Sequence, residues 1–238
     1  MGWSREMSAG GLAVALTLAA GSGAVAEPAA QSPVVVELFT SQGCSSCPPA
    51  NANLAAIADR PDVLALSFGV TYWDYLGWKD SFAKPEFTNR QYAYEHTLHR
   101  ATAYTPQMVV NGEMDLIGNS AEELDRFIAA ASNHGAAVAP GIAFGASKVS
   151  IGAAPAPGDT ADVWLVRYDP NIVQVPVARG ENGGRTLPHK NVVREFIRLG
   201  GWSGAAVNFE LPPAADGLKT AILVQSAYTG PILAAAKE

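Results

Sequence analysis

The sequence predicts an α/β protein in which a mixed β-sheet with a helical insertion is followed by a β-rich C-terminal domain. In the first half, short apolar runs rich in β-branched residues alternate with helical segments. In the last hundred residues, short runs of alternating polarity are separated by turn residues. The charge also changes, since residues 27–137 carry 6 basic and 13 acidic residues, whereas residues 138–238 carry 9 and 8. We therefore expect a domain boundary near residue 138.

The composition excludes several classes of protein. The chain has 238 residues, of which 48% are apolar, and a net charge of −6. Such a chain is too apolar to be disordered, and its acidic balance argues against nucleic-acid binding. Its two cysteines are too few for a disulfide-dense small fold or for a zinc site built of cysteines alone.

Residues 1–26 are predicted to be a cleaved signal peptide. An apolar run over residues 12–20 is followed by Ala24-Val25-Ala26, which fits the small-x-small cleavage pattern. The alternative is an uncleaved anchor, but the run is shorter than the roughly 18–20 apolar residues that a spanning helix needs. We expect a periplasmic or secreted protein without a stable membrane anchor, in a compartment where a disulfide persists.

The first elements predict a parallel pair of strands. Residues 34–39 and 63–70 are apolar strand candidates, and residues 50–58 between them have helical composition after two prolines that suit a first helical turn. A strand–helix–strand unit implies two parallel strands joined by a crossover.

Residues 71–104 are predicted to be an insertion with a helix over residues 85–100. The insertion begins with an aromatic cluster that includes Tyr72, Trp73 and Trp78. Two interpretations are open: a surface that binds a partner, or the core of the insertion itself. His96 and His99 on the helix are either solvated or, with the two cysteines, a Cys2His2 metal set.

An antiparallel hairpin and a helix complete the first half. Residues 107–110 and 114–117 are strand candidates around Asn111-Gly112, a strong hairpin signal. Ser120 and Glu123 form a capping box for a helix over residues 121–131.

The second half is predicted to be a small sandwich. Its strand candidates span residues 161–168, 172–177, 205–211 and 220–226. Basic residues concentrate over residues 179–198. They either dock on the acidic first half or lower a thiolate pKa across an interface, or they form a solvated basic surface.

The sharpest chemical feature is Cys44-Ser45-Ser46-Cys47, between a predicted strand and a predicted helix. A helix N-terminus stabilises a thiolate through its free N–H groups and its dipole. We expect an exposed nucleophile at Cys44 and a shielded resolving thiol at Cys47. The alternative is an inert structural disulfide.

This strand–CxxC–helix arrangement resembles the thioredoxin superfamily, as does Thr105-Pro106 before a strand. The resemblance implies a thioredoxin-like mixed sheet with a cis proline at Pro106 that faces the cysteines. Thr105 and Pro106 would then bind an extended thiol substrate. It also points to Glu37, in the first strand, as a possible proton acceptor for the resolving thiol, although a carboxylate satisfied by local hydrogen bonds is an equal alternative.

Four motifs make the resemblance narrower. VELFTSQGCSSCPPA, YWDYLGWKD, YTPQMVVNG and GENGGRTLPHKNVVRE together resemble a family of secreted, thioredoxin-like bacterial proteins classed as a domain of unknown function. In that family a histidine and an aspartate flank the valine before YWD, whereas this sequence has Gly69 and Thr71. The family implies no substrate.

The sequence therefore favours an exported thiol–disulfide oxidoreductase acting on protein or small-thiol disulfides. Its partners would be a disulfide- or thiol-containing protein and an external redox partner, with no nucleic acid, no cofactor and no metal site. Two alternatives are open: a Cu(I) chaperone that uses the two thiolates, or a binding module with a structural disulfide.

Overall fold

The computed structural model describes residues 1–3, 32–133, 139–155, 158 and 160–238. All but the first three residues of the predicted signal peptide lie outside this set. Within residues 31–238, the described part of the chain forms one compact unit. No helix in the described part of the chain combines the length and the apolar composition needed to cross a bilayer.

The elements of the first half follow the predicted order. They are β1 (Val34–Thr40), α1 (Pro48–Ile57), β2 (Val63–Gly69), a single 3-10 turn (Asp74–Leu76), α2 (Pro85–Thr97), β3 (Gln107–Val110), β4 (Met114–Leu116) and α3 (Ala121–Asn133). The hairpin signal is confirmed, because Asn111 and Gly112 between β3 and β4 both have positive φ, at 48° and 71°.

The second half consists of strands. They are β5 (Ile142–Phe144), β6 (Lys148–Ile151), β7 (Ala161–Asp169), β8 (Val173–Pro176), β9 (Thr186–His189), β10 (Val192–Trp202), β11 (Val207–Glu210), β12 (Lys219–Ser226) and β13 (Ile232–Lys237). The sequence predicts β7, β8, β11 and β12 and misses the other five. The longest strand, β10, escapes prediction because eight of its eleven residues are half-buried or exposed and their polarity does not alternate regularly.

The main sheet has eight strands in the order β13-β12-β7-β10-β2-β1-β3-β4. β1 is parallel to β2 and antiparallel to β3, so the sheet is mixed. The predicted fold class, an α/β thioredoxin-like mixed sheet followed by a β-rich region, is confirmed.

The strands of the second half extend this sheet. β10 runs parallel to β2 with Val192 paired to Ser67, and the side chain of Asn191 donates to the carbonyl of Ala65 over 2.8 Å. A separate sheet, β11-β6-β5, packs over the β-rich end, so that this end is a sandwich. The sheet therefore runs through both halves, and the predicted boundary near residue 138 falls at residues outside the described set.

The two faces of β1 belong to different cores. Val36 and Leu38 pack with α1 and α3, whereas Val35 and Phe39 pack with α2 and the β-rich strands. Glu37 has the same alternation as Val35 and Phe39 and lies on the α2 face.

Candidate functional site: the cysteine turn

The two cysteines lie in the turn between β1 and α1 and are joined by a disulfide, with their Cα atoms 5.5 Å apart. Cys47 precedes the helix, and Pro48 occupies the first helical position. The carbonyl of Cys47 accepts the N–H of Asn51 over 3.1 Å, which begins the helical hydrogen-bonding pattern. The pair thus lies at the amino end of α1, as the sequence predicts.

The expectation that Cys44 is exposed is wrong. Cys44 and Cys47 both have 0% relative exposure, whereas Ser45 and Ser46 between them are exposed. The residues that cover the cysteines come from segments that are distant in the sequence. No local sequence pattern indicates that these segments lie at the turn. An incoming thiol therefore has no path to Cys44 unless part of this cover moves.

The peptide bond between Thr105 and Pro106 is cis, as the superfamily resemblance implies. It lies beside the cysteine turn, because the hydroxyl of Ser46 donates to the carbonyl of Thr105 over 3.4 Å. The same hydroxyl lies 3.3 Å from the sulfur of Cys44. Ser46 thus bridges the first cysteine and the cis bond.

The aromatic insertion supports the turn from a second side. Trp73 donates its indole N–H to the hydroxyl of Thr105 over 2.7 Å, and Trp78 donates to the side-chain oxygen of Gln42 over 2.9 Å. Asp80 accepts the backbone N–H of Gln42 over 2.7 Å, and burial raises the pKa of this carboxyl. Tyr72 is half-buried and stacks on Tyr92 at 6.4 Å. The polar ends of both tryptophans are thus engaged with the site, and the role of this cluster as a partner surface stays a prediction.

Gly69 occupies one of the positions where the sequence departs from the family that it resembles. A Cβ atom there would lie 2.8 Å from the backbone nitrogen of Ala83. A larger residue at position 69 therefore requires the backbone of the insertion to shift. Thr71, at the other position, takes part in a hydrogen bond with Thr88 over 3.0 Å.

The third segment at the turn is the loop between β8 and β9, residues 177–185. Asn182 is fully buried, and its amide donates to the carbonyls of Gln42 and Cys44 over 3.0 and 2.9 Å. The exposed carboxylate of Glu181 accepts both the backbone N–H of Ser45, over 3.0 Å, and its hydroxyl, over 2.7 Å. These hydrogen bonds lower the pKa of Glu181, so the carboxylate is ionised at neutral pH.

This loop is the part of the site that sequence reasoning missed. Its only signal is the fourth motif, which spans residues 180–195, and nothing in the spacing of that motif indicates contact with the cysteines. All four motifs in fact meet at the turn, since the second provides Trp73 and Trp78 and the third provides Thr105. The charged side chain from the basic segment that hydrogen-bonds to the turn is the acidic Glu181, whose charge is opposite in sign to the influence expected on the thiolate.

Glu37 is engaged away from the cysteines. Arg90 of α2 donates to both its carboxylate oxygens over 2.7 and 2.9 Å, and the hydroxyl of Tyr94 also donates to it. Burial disfavours the charged guanidinium, yet the attraction of Glu37 leaves the pKa of Arg90 raised. The proton-acceptor role has no supporting contact among the described residues, because the α2 face of β1 directs this carboxylate to Arg90.

The described residues also bring together no group of three or more His, Cys, Asp or Glu side chains that could hold a metal ion. His96 lies in α2 and is exposed, and His99 is exposed just beyond the end of this helix. The alternative Cys2His2 grouping is therefore not assembled in this part of the chain.

Comparisons with known proteins identify one family and two similar solved structures. The model of a family described as protein of unknown function (DUF1223) matches residues 35–225. A crystal structure of a protein from Agrobacterium tumefaciens is 33% identical, with a TM-score of 0.72, and the match covers 87% of this chain and 94% of that one. HBP35 of Porphyromonas gingivalis is 17% identical, with a TM-score of 0.58 and coverage of 87% and 75%, a likeness of fold alone. No curated protein matches significantly.

Proposed function

We propose that this chain, which belongs to the DUF1223 family, is an exported thiol–disulfide oxidoreductase of the thioredoxin superfamily. One observation carries the proposal: a CxxC disulfide at the amino end of a helix lies beside a cis X-Pro bond. A strand order of β2-β1-β3-β4 with this mixture of directions supports it.

The proposed reaction is a two-step thiol–disulfide exchange. In the reduced protein, the Cys44 thiolate attacks one sulfur of a substrate disulfide, forms a mixed disulfide and releases the first substrate thiolate. The Cys47 thiolate then attacks the Cys44 sulfur, restores the Cys44–Cys47 disulfide and releases the second thiolate. The cysteine pair loses two electrons and the substrate gains them, and each released thiolate takes up a proton according to its pKa.

A partner outside the chain must close the cycle. The sequence contains two cysteines, and both belong to this pair, so no third thiol is present to reduce it again. We propose a dithiol protein as the electron donor; in the reverse direction a disulfide protein reoxidises the pair. Export to the periplasm or beyond, expected from residues 1–26, would place the pair among disulfide-bonded substrates.

The substrate would bind along Thr105 and Pro106. The carbonyl of Thr105 now accepts the exposed hydroxyl of Ser46, a neutral contact of 3.4 Å that a peptide N–H can replace. Displacing Ser46 also frees the space next to the Cys44 sulfur, 3.3 Å away. Binding and access to the nucleophile are thus coupled in the proposal.

Trapping tests this function. A Cys47→Ser variant lacks the resolving thiol, so on incubation with glutathione disulfide we expect a mixed disulfide at Cys44, detected by intact mass. The matched Cys44→Ser variant should form it much more slowly, because the proposal assigns the attacking thiolate to Cys44. The wild-type protein should catalyse reduction of insulin by dithiothreitol. If no mixed disulfide forms and the wild type has no turnover, the proposal is wrong.

The burial of both cysteines favours one other function, a binding module stapled by a structural disulfide. Both cysteines have 0% relative exposure, and the buried amide of Asn182 donates to the carbonyl of Cys44, so the turn is suited to a rigid structural role. This alternative predicts that no exchange occurs and that reduction lowers the unfolding free energy by about 2 kcal/mol, because the disulfide closes a short loop between cysteines only three positions apart. Stoichiometric retention of Cu(I) by the reduced protein would instead favour a copper chaperone.

A further inference from the structure

We propose that Glu181 is a positioning residue that disfavours the Cys44 thiolate and so biases the cysteine pair toward donating electrons. The inference deepens the oxidoreductase function proposed above and rests on it. It assigns a direction, reduction of substrate disulfides, that the CxxC sequence leaves open.

The contact that carries the proposal lies one residue from the nucleophile. The N–H groups at the amino end of a helix stabilise an anion placed there. At this turn the N–H and the hydroxyl of Ser45 both donate to one carboxylate oxygen of Glu181, over 3.0 and 2.7 Å. Ser45 lies in the turn that leads into α1, so Glu181 engages both donors of the residue next to Cys44, and a thiolate on Cys44 gains a negative neighbour.

The loop holds Glu181 in place independently of its own carboxylate. Asn182 next to it is buried and anchored on two carbonyls, and Arg185 donates to its side-chain oxygen over 2.6 Å. Gly180 and Gly184 at the loop ends have φ values of +77° and +82°, a conformation that glycine adopts without strain. Gly180 also lies against Trp78, where an added Cβ would be 3.6 Å from the Trp78 Cβ. Neutralising Glu181 should therefore leave the loop docked.

Other charged groups face the turn less directly. Asp80 accepts from Gln42, two residues before Cys44, and Asp74 accepts the N–H of Asp80 over 3.1 Å. Arg185 provides an opposing positive charge through Asn182. Among the described carboxylates with hydrogen bonds at the turn, Glu181 alone contacts a residue between the two cysteines.

The direction follows from the electron balance. Reduction of the disulfide takes two electrons and yields two thiols, one of which ionises in the reactive form. Because Glu181 destabilises that ionised form, the disulfide is favoured and the reduced pair becomes a stronger electron donor. The electrons come from the dithiol protein partner named above.

The decisive experiment is a pH profile. In the Cys47→Ser background we would measure the rate of Cys44 alkylation by iodoacetamide against pH, with and without Glu181→Gln. We expect the midpoint of the profile to move to lower pH in Glu181→Gln, with the plateau rate unchanged. The difference should shrink at 1 M salt, where the charge is screened.

Control variants keep the result interpretable. Glu210→Gln removes an exposed carboxylate on β11 and should leave the midpoint where it is. Glu181→Lys should move the midpoint further down, which serves as a second test if Glu181→Gln folds poorly. An unchanged midpoint in both Glu181 variants overturns the proposal, and so does a raised plateau alone, which means that Glu181 only covers Cys44.

The redox equilibrium of the cysteine pair with glutathione provides a second test. In glutathione buffers, Glu181→Gln with both cysteines intact should be half-reduced at a glutathione ratio roughly three- to tenfold less reducing than the wild type, as expected for removal of one nearby charge at the surface. An unchanged ratio contradicts the assigned direction. The alkylation profile requires no substrate, so it remains informative even if the trapping experiment fails and the oxidoreductase function is wrong.

Discussion

Acidification is expected to destabilise this protein through His189 on β9. The side chain is 3% exposed, and its ring packs edge-on against Phe82 with the ring centroids 5.3 Å apart. Burial, with a smaller contribution from the positive charge of Arg194, lowers the pKa of His189 to about 4. The unfolded chain takes up this proton near pH 6.5, so the contribution of neutral His189 is complete above that pH and is lost as the pH falls to 4.

The size of the effect follows from the difference between the two pKa values. At 1.36 kcal/mol per unit, a difference of about 2.5 units corresponds to about 3 kcal/mol of unfolding free energy between pH 7 and pH 4. The assay is urea unfolding from pH 4 to pH 8 at constant ionic strength, with the disulfide intact, for the wild type and for His189→Phe. Phenylalanine keeps the packing on Phe82 and cannot be protonated. The stability difference between the two proteins should therefore shift by about 3 kcal/mol toward the variant as the pH falls.

A control separates this effect from general acid denaturation. The same substitution at exposed His96 should leave the pH profile parallel to that of the wild type. Parallel profiles for His189→Phe and the wild type, or an NMR titration of His189 near pH 6.5, would refute the reasoning. Because β9 carries one end of the loop with Glu181 and Asn182, the same acidification should also loosen the cover of the cysteines.

Three further substitutions test the buried ion pair of Arg90, the loop that carries Asn182, and the hairpin turn at Gly112. Arg90→Met leaves the carboxylate of Glu37 buried without its ion-pair partner, so the free energy of unfolding should fall by about 3–5 kcal/mol. Adding Glu37→Gln should reduce this loss, and an equal loss in the single and the double variant contradicts the ion pair. Asn182→Ala removes the donor to two buried carbonyls and should lower the free energy of unfolding by about 1–3 kcal/mol. In the Cys47→Ser background it should also speed the alkylation of Cys44, and an unchanged rate means that the loop does not cover the sulfur. Gly112→Ala places a Cβ 2.6 Å from a carbonyl oxygen at a φ of +71°, so it should lower the melting temperature by several degrees. Gly158→Ala meets open space and should change the melting temperature little, and similar melting temperatures for the two variants would contradict the packing at the hairpin.

The local parts of the site are those that the sequence predicts. The turn that carries Cys44 and Cys47 follows from an apolar strand, two prolines and a helical segment, all within residues 34–58. The hairpin after Pro106 follows from Asn111-Gly112, because few residue pairs adopt positive φ readily. The cis bond at Pro106 follows from a family resemblance and not from any local signal.

The long-range parts of the site are those that the sequence does not predict. Strand β10 joins the two halves through a single paired position next to β2, and its half-buried pattern does not distinguish it from a surface segment. The partners of Glu37, Arg90 and Tyr94, both lie in α2. Gln225 of β12 in turn accepts a hydrogen bond from Arg90 over 3.1 Å. No spacing in the sequence relates these positions, so the sequence is as consistent with a proton acceptor as with a buried ion pair.

The sequence alone determined the sulfur chemistry that is available to this protein: two cysteines at a strand-to-helix turn and no third. Turn and helix signals act over a few residues, so they can be read without knowledge of the rest of the chain. The tertiary structure decided the environment of that chemistry, because it covers Cys44 and brings the carboxylate of Glu181 to Ser45 from 136 residues away. Exposure and electrostatics depend on distances through space, and only the packed sheet sets those distances.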